Sequence, residues 1–340
     1  MVLIKGPSEQ VMTSLSRYRH SRHVALVGAF CLAALTMVYL SYALPRLLPG
    51  DFVTAMYGSS QVTLSEAQEA ELRAYYTDDR GFGSYIIRLA CLDWGYSYAF
   101  LTPVSRLFFE ALPWTLLLVG LAHLISLVIG FFTGVEVAWR RSTILERGMV
   151  SGMTMLEGIP EISTGVLLLL IFSLNLGWFP SAGAETAYAD LSMLDRMAGV
   201  IYHLVLPLAT LVLAYLPGNF LLTRNSMVMI IKAQYMMTAR AKGLPPCRIR
   251  YAHGARNALL PLVTRFGLRL AFMITGALVV ERIYAYPGLG TLLFNAIQAR
   301  DLPVIQGVVL ISSLMVLAVI LALEFVYRII DPRIDHARAF

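Results

Sequence analysis

Six long apolar stretches constrain the fold of this chain more than any other feature. They lie near residues 24–45, 113–138, 149–173, 200–223, 262–283 and 304–328. Each is long enough to cross ~30 Å of hydrocarbon as a helix that rises about 1.5 Å per residue. A helix satisfies its backbone hydrogen bonds internally, as lipid requires. We therefore predict an all-α, polytopic membrane protein with about six transmembrane helices.

The composition agrees with this prediction. Of the 340 residues, 58% are hydrophobic and only 14% are charged, which leaves too little polar surface for a soluble protein. The net charge of +6 could indicate a nucleic-acid partner, but basic cytoplasmic loops explain it more simply, so we expect no nucleic acid. The first apolar stretch follows a basic segment and is long enough to be a retained signal-anchor rather than a cleaved signal peptide.

The distribution of Lys and Arg predicts the orientation. If the N-terminus is inside, the inner segments carry most of the basic residues and the outer segments carry most of the acids. We therefore expect both termini to be cytoplasmic. The predicted organisation is a cytoplasmic N-terminal segment (1–23), a first transmembrane helix (24–45), an extracytoplasmic loop region (46–112), a core with five transmembrane helices (113–328) and a cytoplasmic tail (329–340). The tyrosine-rich outer loop could dock a partner or form a small ordered domain.

The long inner loop at 224–261 carries the most specific pattern. Residues 234–244 read as a short helix with basic and apolar residues. Gly243 and the pair Pro245-Pro246 predict its end, since glycine closes helices readily and proline cannot continue one. Such a helix could transmit force from a soluble partner, or lie on anionic lipid. The residue pattern alone leaves both possibilities open.

Several motifs resemble one family of membrane proteins. Thr-Ala-Arg-Ala-Lys-Gly at 238–243, followed by Arg-Asn-Ala-Leu-Leu-Pro at 256–261, resembles the "EAA" loop of binding-protein-dependent ABC importer permeases, in the oligopeptide/dipeptide/nickel branch. The same branch is suggested by Leu-Pro-Gly-Asp at 48–51, Tyr-Pro-Gly-Leu-Gly at 286–290 and Asp-Pro-Arg at 331–333. The resemblance implies the type I ABC importer permease fold in the bacterial inner membrane.

The resemblance also implies partners and site residues. The partners would be a second homologous permease subunit, two ATP-binding subunits, an extracytoplasmic substrate-binding protein and membrane lipid. ATP and Mg would be bound by the ATP-binding subunits, with no cofactor on this chain. Gln234 stands where an acidic residue is common. The coupling residues would be Thr238, Ala239, Arg240, Ala241, Lys242, Gly243 and Leu244. An outer loop or gate would contain Tyr286, Pro287, Gly288 and Gly290. From the residues alone, this loop reads as a Pro-Gly turn in which the two glycines can take backbone angles that other residues avoid.

Ionisable residues inside the apolar stretches are candidates for a translocation path, because charge is costly in a bilayer. His123 and Glu161 fall near mid-bilayer, and Glu157 lies four residues before Glu161, on one face of a continuous helix. These three residues could line a polar path or pair with other helices for packing. Residues Glu136, Glu324, Arg265 and Arg269 are expected nearer the inner ends, where they could snorkel.

The sequence contains no phosphate-binding loop, no metal-ligand spacing and no catalytic constellation. Cys31, Cys91 and Cys247 fall in a span, an outer loop and an inner loop, so we expect no disulfide. We predict a non-enzymatic permease subunit that forms the path for peptides and couples to ATPase subunits. The alternatives are a nickel or metal-chelate permease of the same family, a stand-alone secondary transporter, an exporter of similar architecture and a membrane-embedded enzyme.

Overall fold

The computed structural model describes residues 27–43, 65–77, 81–97, 99–185, 192–271 and 273–330. The elements within those ranges are α1 (Val27–Ala43), α2 (Glu66–Thr77), α3 (Gly81–Ala90), β1 (Tyr96–Ser97), β2 (Thr102–Pro103), α4 (Val104–Trp139), α5 (Ile144–Glu157), α6 (Glu161–Leu168, continued by a π-helical segment Leu169–Asn175), α7 (Met193–Ile231), α8 (Gln234–Ala241), α9 (Pro246–Arg248, continued by a π-helical segment Ile249–Ala255), α10 (Arg256–Ala271), α11 (Met273–Ile283), α12 (Leu289–Gln298) and α13 (Leu302–Ile330). The predicted N-terminal segment 1–23, the motifs at 48–51 and 331–333, and most of the tail lie outside the described residues.

The described residues contain three helices that are long and apolar enough to cross a membrane: α4, α7 and the Leu302–Leu323 part of α13. A fourth span is possible if α5 and α6 are counted as one bent pair. The predicted spans 24–45 and 262–283 coincide with shorter helices, α1 in the first case and α10 with α11 in the second. The described residues of all six predicted apolar stretches are therefore largely helical, with a break inside 149–173.

The predicted continuous helix over 149–173 is wrong, because the chain bends by 93° between α5 and α6. The break lies at Gly158-Ile159-Pro160. Pro160 has no N–H to donate and disfavours helical geometry at the residue before it. Glu157 therefore ends one helix and Glu161 begins the next, so the interpretation that they share one helical face is also wrong.

Helices α4 and α7 form the centre of the molecule, and small residues bring their backbones close together. A Cβ at Gly130 would lie 2.8 Å from the Cβ of Asn219, and one at Gly134 would lie 2.8 Å from the Cβ of Thr223. Small residues at such a crossing allow the close van der Waals packing that holds helices together in lipid. Large apolar side chains on the outer faces of these helices stay exposed, which leaves surface for lipid and for partner chains.

The β1–β2 hairpin is joined to the start of α13 by a fully buried acid. Asp301 accepts hydrogen bonds from the Ser97 hydroxyl and from the backbone N–H groups of Ala99 and Val304, the latter two at 3.4 Å each. Burial raises the pKa of Asp301, and these donors oppose that rise. Because the acid sits just before α13, it caps this helix and holds the hairpin against it.

Candidate coupling and translocation sites

Helix α8, which contains most of the predicted coupling residues, has one buried and one exposed face. Met236 and Ala239 are buried and pack with Ile249 of the π-helical segment after α9. The other face is open to solvent and carries large apolar side chains, since Met237 is 64% exposed and Tyr235 is 43% exposed. The exposed predicted coupling residues are Thr238, Arg240, Ala241, Lys242 and Gly243. Exposed apolar groups at the end of a folded loop are typical of a surface that a partner covers.

Gly243 ends α8 as the sequence predicts. Its φ of +68° lies in the left-handed region, which costs an ordinary L-residue about 1–2 kcal/mol. A Cβ at this position would meet nothing within 4 Å, so the glycine is needed for its backbone conformation and not for space. Pro245 then begins the next helix from an extended conformation.

A cluster of aromatic and charged side chains joins α8 to the end of α4. Two guanidinium groups lie over the Trp139 ring, with Cζ of Arg240 at 5.8 Å and Cζ of Arg250 at 5.0 Å from the ring centroid. Arg250 also forms an ion pair with Glu136, and the Tyr251 hydroxyl donates a 2.7 Å hydrogen bond to the same carboxylate. This bond to Glu136 raises the pKa of Tyr251. We call these five residues the Trp139 junction.

A second ion pair joins the neighbouring helices on the same side. The buried carboxylate of Glu146 on α5 pairs with the guanidinium of Arg224 on α7 and accepts a 2.5 Å hydrogen bond from the backbone N–H of Ser142. The hydroxyl of Thr143 accepts from the N–H of Glu146 and caps α5. The end of α7 that leads into α8 is therefore bound to α5, in addition to the contacts of α8 with α4.

At the opposite end, a fully buried acid that the sequence analysis did not single out supports the predicted gate loop. Glu281 accepts a 2.6 Å hydrogen bond from the Thr115 hydroxyl and a 3.0 Å bond from the backbone N–H of Thr291. The Thr115 oxygen in turn accepts from the N–H of Leu289 at 2.8 Å. The two side chains therefore cap the start of α12, where a carboxylate is favoured. The sequence signal that could have identified Glu281 is the presence of an acid within the apolar run that forms α11.

Glu281 also explains the two glycines of the loop between α11 and α12. A Cβ at Gly288 would lie 2.1 Å from Oε1 of Glu281, and a Cβ at Gly290 would lie 2.6 Å from the Cα of Leu278. Gly288 has an ordinary φ of −91°, and Gly290 is not among the described residues with positive φ. The two glycines therefore do not use the backbone angles that only glycine adopts readily, and it is close approach that requires them. Within the same loop Tyr286 is buried against Trp114, with ring centroids 5.8 Å apart.

In the middle of the bundle, the structure separates the three predicted path residues. His123 is only 4% exposed and packs against the ring of Tyr215, with centroids 4.3 Å apart. Glu161 is half-buried and Glu157 is exposed. His123 therefore lies behind the surface that carries the two acids.

The expectation that Arg269 lies near the inner end of its helix was wrong. Its Cζ lies 5.4 Å from the centroid of the Tyr215 ring, which contacts His123. His123 is ~24 Å from the Trp139 end of α4 at about 1.5 Å per residue, so it lies near the middle of that helix. Arg269 consequently lies level with the middle of α4.

Comparison with known proteins identifies the family. Residues 126–336 match the family described as binding-protein-dependent transport system inner membrane component. The chain belongs to this family. It is 36% identical over 307 residues to the oligopeptide transport system permease protein AppB of Bacillus subtilis (strain 168), covering 89% of this chain and 95% of that protein. It is 32% identical over 318 residues to the di/tripeptide transport system permease protein DppB of Pseudomonas aeruginosa (strain UCBPP-PA14), covering 88% and 94%.

A solved structure confirms the predicted fold of this inner membrane component. The chain matches a structure titled as inward-facing conformations of the MetNI methionine ABC transporter, with a TM-score of 0.53 and 19% sequence identity. The match covers 66% of this chain and 97% of the other. The predicted type I ABC importer permease fold and the predicted family are therefore correct. The chain is the membrane permease component of an importer, which implies ATPase and substrate-binding partners.

Proposed function

We propose that this chain is the peptide permease subunit of an ABC importer, and that the exposed face of α8 is the surface on which an ATP-binding subunit docks. Two similar relatives are named as oligopeptide and di/tripeptide permeases, which favours peptides over nickel or a metal chelate. Membership of the binding-protein-dependent family favours an ATP-driven importer over a stand-alone secondary transporter. A second permease, two ATP-binding subunits and an extracytoplasmic substrate-binding protein complete the proposed assembly.

The observation that carries the proposal is the division of α8 into two faces. The buried face, with Met236 and Ala239, fixes the helix to this chain. The exposed face presents Tyr235, Met237 and Ala241 to the cytoplasmic side of the proposed topology. A helix held firmly on one side and open on the other can transmit a movement of its partner without being detached.

In the proposed mechanism, a displacement of α8 is transmitted through its contacts to the rest of the chain. ATP-driven closure of the ATP-binding subunits displaces α8, and the Trp139 junction transmits that displacement to α4. Helix α4 extends from the junction to the capping residue Thr115 near the outer end. The predicted gate residues Tyr286, Pro287, Gly288 and Gly290 follow α11 there, so one rigid helix connects the coupling end to the gate end. ATP hydrolysis itself, with its Mg, belongs to the partner subunits.

ATP-dependent peptide uptake in proteoliposomes tests the proposal. The complete complex would carry Ala241→Arg, which places a bulky charge on the exposed face of α8. Its matched control is Ala182→Arg, since Ala182 is an exposed alanine in the loop after α6. We expect uptake to fall at least about tenfold with the first variant and to be unchanged with the second, because the loss of one anchoring contact of ~1.4 kcal/mol is a factor of ten.

Two outcomes would contradict the proposal. Normal uptake by a correctly assembled Ala241→Arg complex would show that this face of α8 does not bind the ATP-binding subunits. Uptake by this chain in the absence of any ATP-binding subunit would instead indicate a secondary transporter.

A further inference from the structure

Four ionisable side chains converge on one surface at mid-span. Glu157 and Glu161 lie on the two sides of the break between α5 and α6, and Arg265 and Arg269 lie one turn apart on α10. Arg269 interacts electrostatically with Glu161, and Arg265 with Glu157. We call these four residues the central charge cluster.

The two arginines are held in place by the wall of the bundle behind them. The guanidinium of Arg265 lies against Gly218 of α7, where a Cβ would come within 2.0 Å of Nη2. The guanidinium of Arg269 lies over the ring of Tyr215, which packs on the buried His123. Their charged ends are therefore fixed, while Arg269 and Glu157 remain exposed on the surface of the chain.

The opposite charges of the cluster face one another without closing into ion pairs. In the described part of the chain, no carboxylate oxygen lies within 4.0 Å of a guanidinium nitrogen of Arg265 or Arg269. The cytoplasmic pairs Arg250 with Glu136 and Arg224 with Glu146, by contrast, are in direct contact. Neither arginine of the cluster is therefore neutralised by direct contact with a carboxylate in the described part of the chain.

The cost of placing charge in lipid restricts what these four side chains can contact. Unpaired charges at the depth of the bilayer centre are too costly to contact lipid, so they face a water-filled cavity or an opposing polar surface. Two carboxylates and two guanidinium groups on one surface are together complementary to a molecule that carries both an ammonium group and a carboxylate. Arginine also binds carboxylate through two parallel hydrogen bonds, which adds orientation to the attraction.

We propose that the central charge cluster binds a zwitterionic peptide during translocation, with the peptide ammonium group at Glu157 and Glu161 and the peptide carboxylate at Arg265 and Arg269. The inference rests on the proposed function, because it assigns a binding site for the peptide within the path. It differs from the sequence-based hypothesis in that it requires both signs of charge and assigns no direct contact to His123.

Equilibrium binding of dipeptides with blocked termini tests this inference. The permease complex would be assembled in lipid nanodiscs without the substrate-binding protein, and binding of Ala-Phe would be measured by saturation-transfer NMR. The same measurement would use the N-acetylated and the C-amidated forms. Two double variants would be compared with the unchanged complex: Glu157→Gln with Glu161→Gln, and Arg265→Gln with Arg269→Gln.

We expect each double variant to weaken binding only of peptides that carry the matching charged terminus. The arginine variant should bind free Ala-Phe about tenfold more weakly and the C-amidated form with unchanged affinity, since only a free carboxylate accepts charge-assisted hydrogen bonds from the guanidinium groups. The glutamate variant should lose the same factor for free Ala-Phe and nothing for the N-acetylated form. The control is Arg147→Gln, which removes an exposed charge at the other end of α5 and should change none of the affinities.

Three different results would overturn the inference. Equal affinity of all complexes for free Ala-Phe, or equal losses for every blocked form, would overturn the inference. Separation of the two permeases in the double variants, with no dependence on the peptide termini, would assign the cluster to the permease interface and also overturn it. ATP-dependent uptake of free Ala-Phe by the unchanged complex with its binding protein tests the proposed function separately, so either proposal can fail alone.

Discussion

Glycine serves different purposes at the two ends of this molecule. Gly243 at the end of α8 has a φ of +68° and open space where its side chain would be, so the backbone conformation selects it. Gly288 in the outer loop has an ordinary φ but lies directly against the carboxylate of the buried Glu281. The same residue type therefore closes a helix in one place and admits a helix-capping acid in the other.

This difference predicts the effect of a single methyl group. Gly288→Ala should lower the thermal stability of the purified chain in detergent, since the new Cβ would overlap Glu281, and overpacking of this kind costs about 1–3 kcal/mol. The matched control is Gly120→Ala, because a Cβ at Gly120 meets nothing within 4 Å and alanine is the better helix former. An unchanged midpoint of thermal unfolding for Gly288→Ala would show that Glu281 does not occupy this position.

At the scale of elements, connections between helices matter more than the helices themselves. The 93° bend between α5 and α6 places Glu161 at the start of a helix, where it joins the central charge cluster. The Trp139 junction likewise connects α8 to α4 through one aromatic ring and two guanidinium groups. Both features bring together residues that are distant in sequence, because short breaks in the helices change the direction of the chain.

The Trp139 junction predicts a coupling defect. Trp139→Leu should keep the apolar volume partly filled but remove the attraction to Arg240 and Arg250, which is worth about 0.5–2 kcal/mol for such pairs. We expect faster amide hydrogen exchange in α8 and more ATP hydrolysed per peptide transported. Trp178→Leu is the control, since Trp178 is exposed in the turn after α6. If the ratio of ATP to peptide is the same in both variants, the junction does not transmit movement.

At the scale of the whole molecule, the exposed surface shows that the chain is one part of an assembly. Large apolar side chains are exposed along the sides of the bundle, among them Phe132 on α4 and Ile171 on α6. These sides suit lipid or a second permease, whereas the charged surface at mid-span suits neither by itself. The expected orientation, with both termini cytoplasmic, places α8 on the ATP-binding side.

The three cysteines can test this orientation without new labelling sites. Cys91 and Cys247 are free and exposed at opposite ends of the proposed topology. A charged, membrane-impermeant maleimide should label Cys91 in spheroplasts, and should label Cys247 only after permeabilisation. Variants with Cys91→Ser or Cys247→Ser identify each signal, with Cys31→Ser in both backgrounds. Labelling of Cys247 in intact spheroplasts would reverse the proposed orientation.

The sequence by itself determined the fold class, the family and the end of α8. These features depend on local properties: the length of apolar runs, the spacing of motif residues, and the conformational preferences of Gly243 and Pro245. Such properties act within a few residues, so they can be recognised before the chain folds.

Only the tertiary structure decided which residues meet. It placed Glu281 against Gly288, placed Arg269 level with the middle of α4 instead of at the expected inner end, and buried His123 behind the surface. It also separated Glu157 from Glu161 by a break, although both still belong to one cluster. The reason is physical: the burial of a side chain and the distance between two charges depend on how helices cross and bend. Contacts between distant segments, such as Tyr215 with Arg269, set those crossings, and no local pattern encodes them.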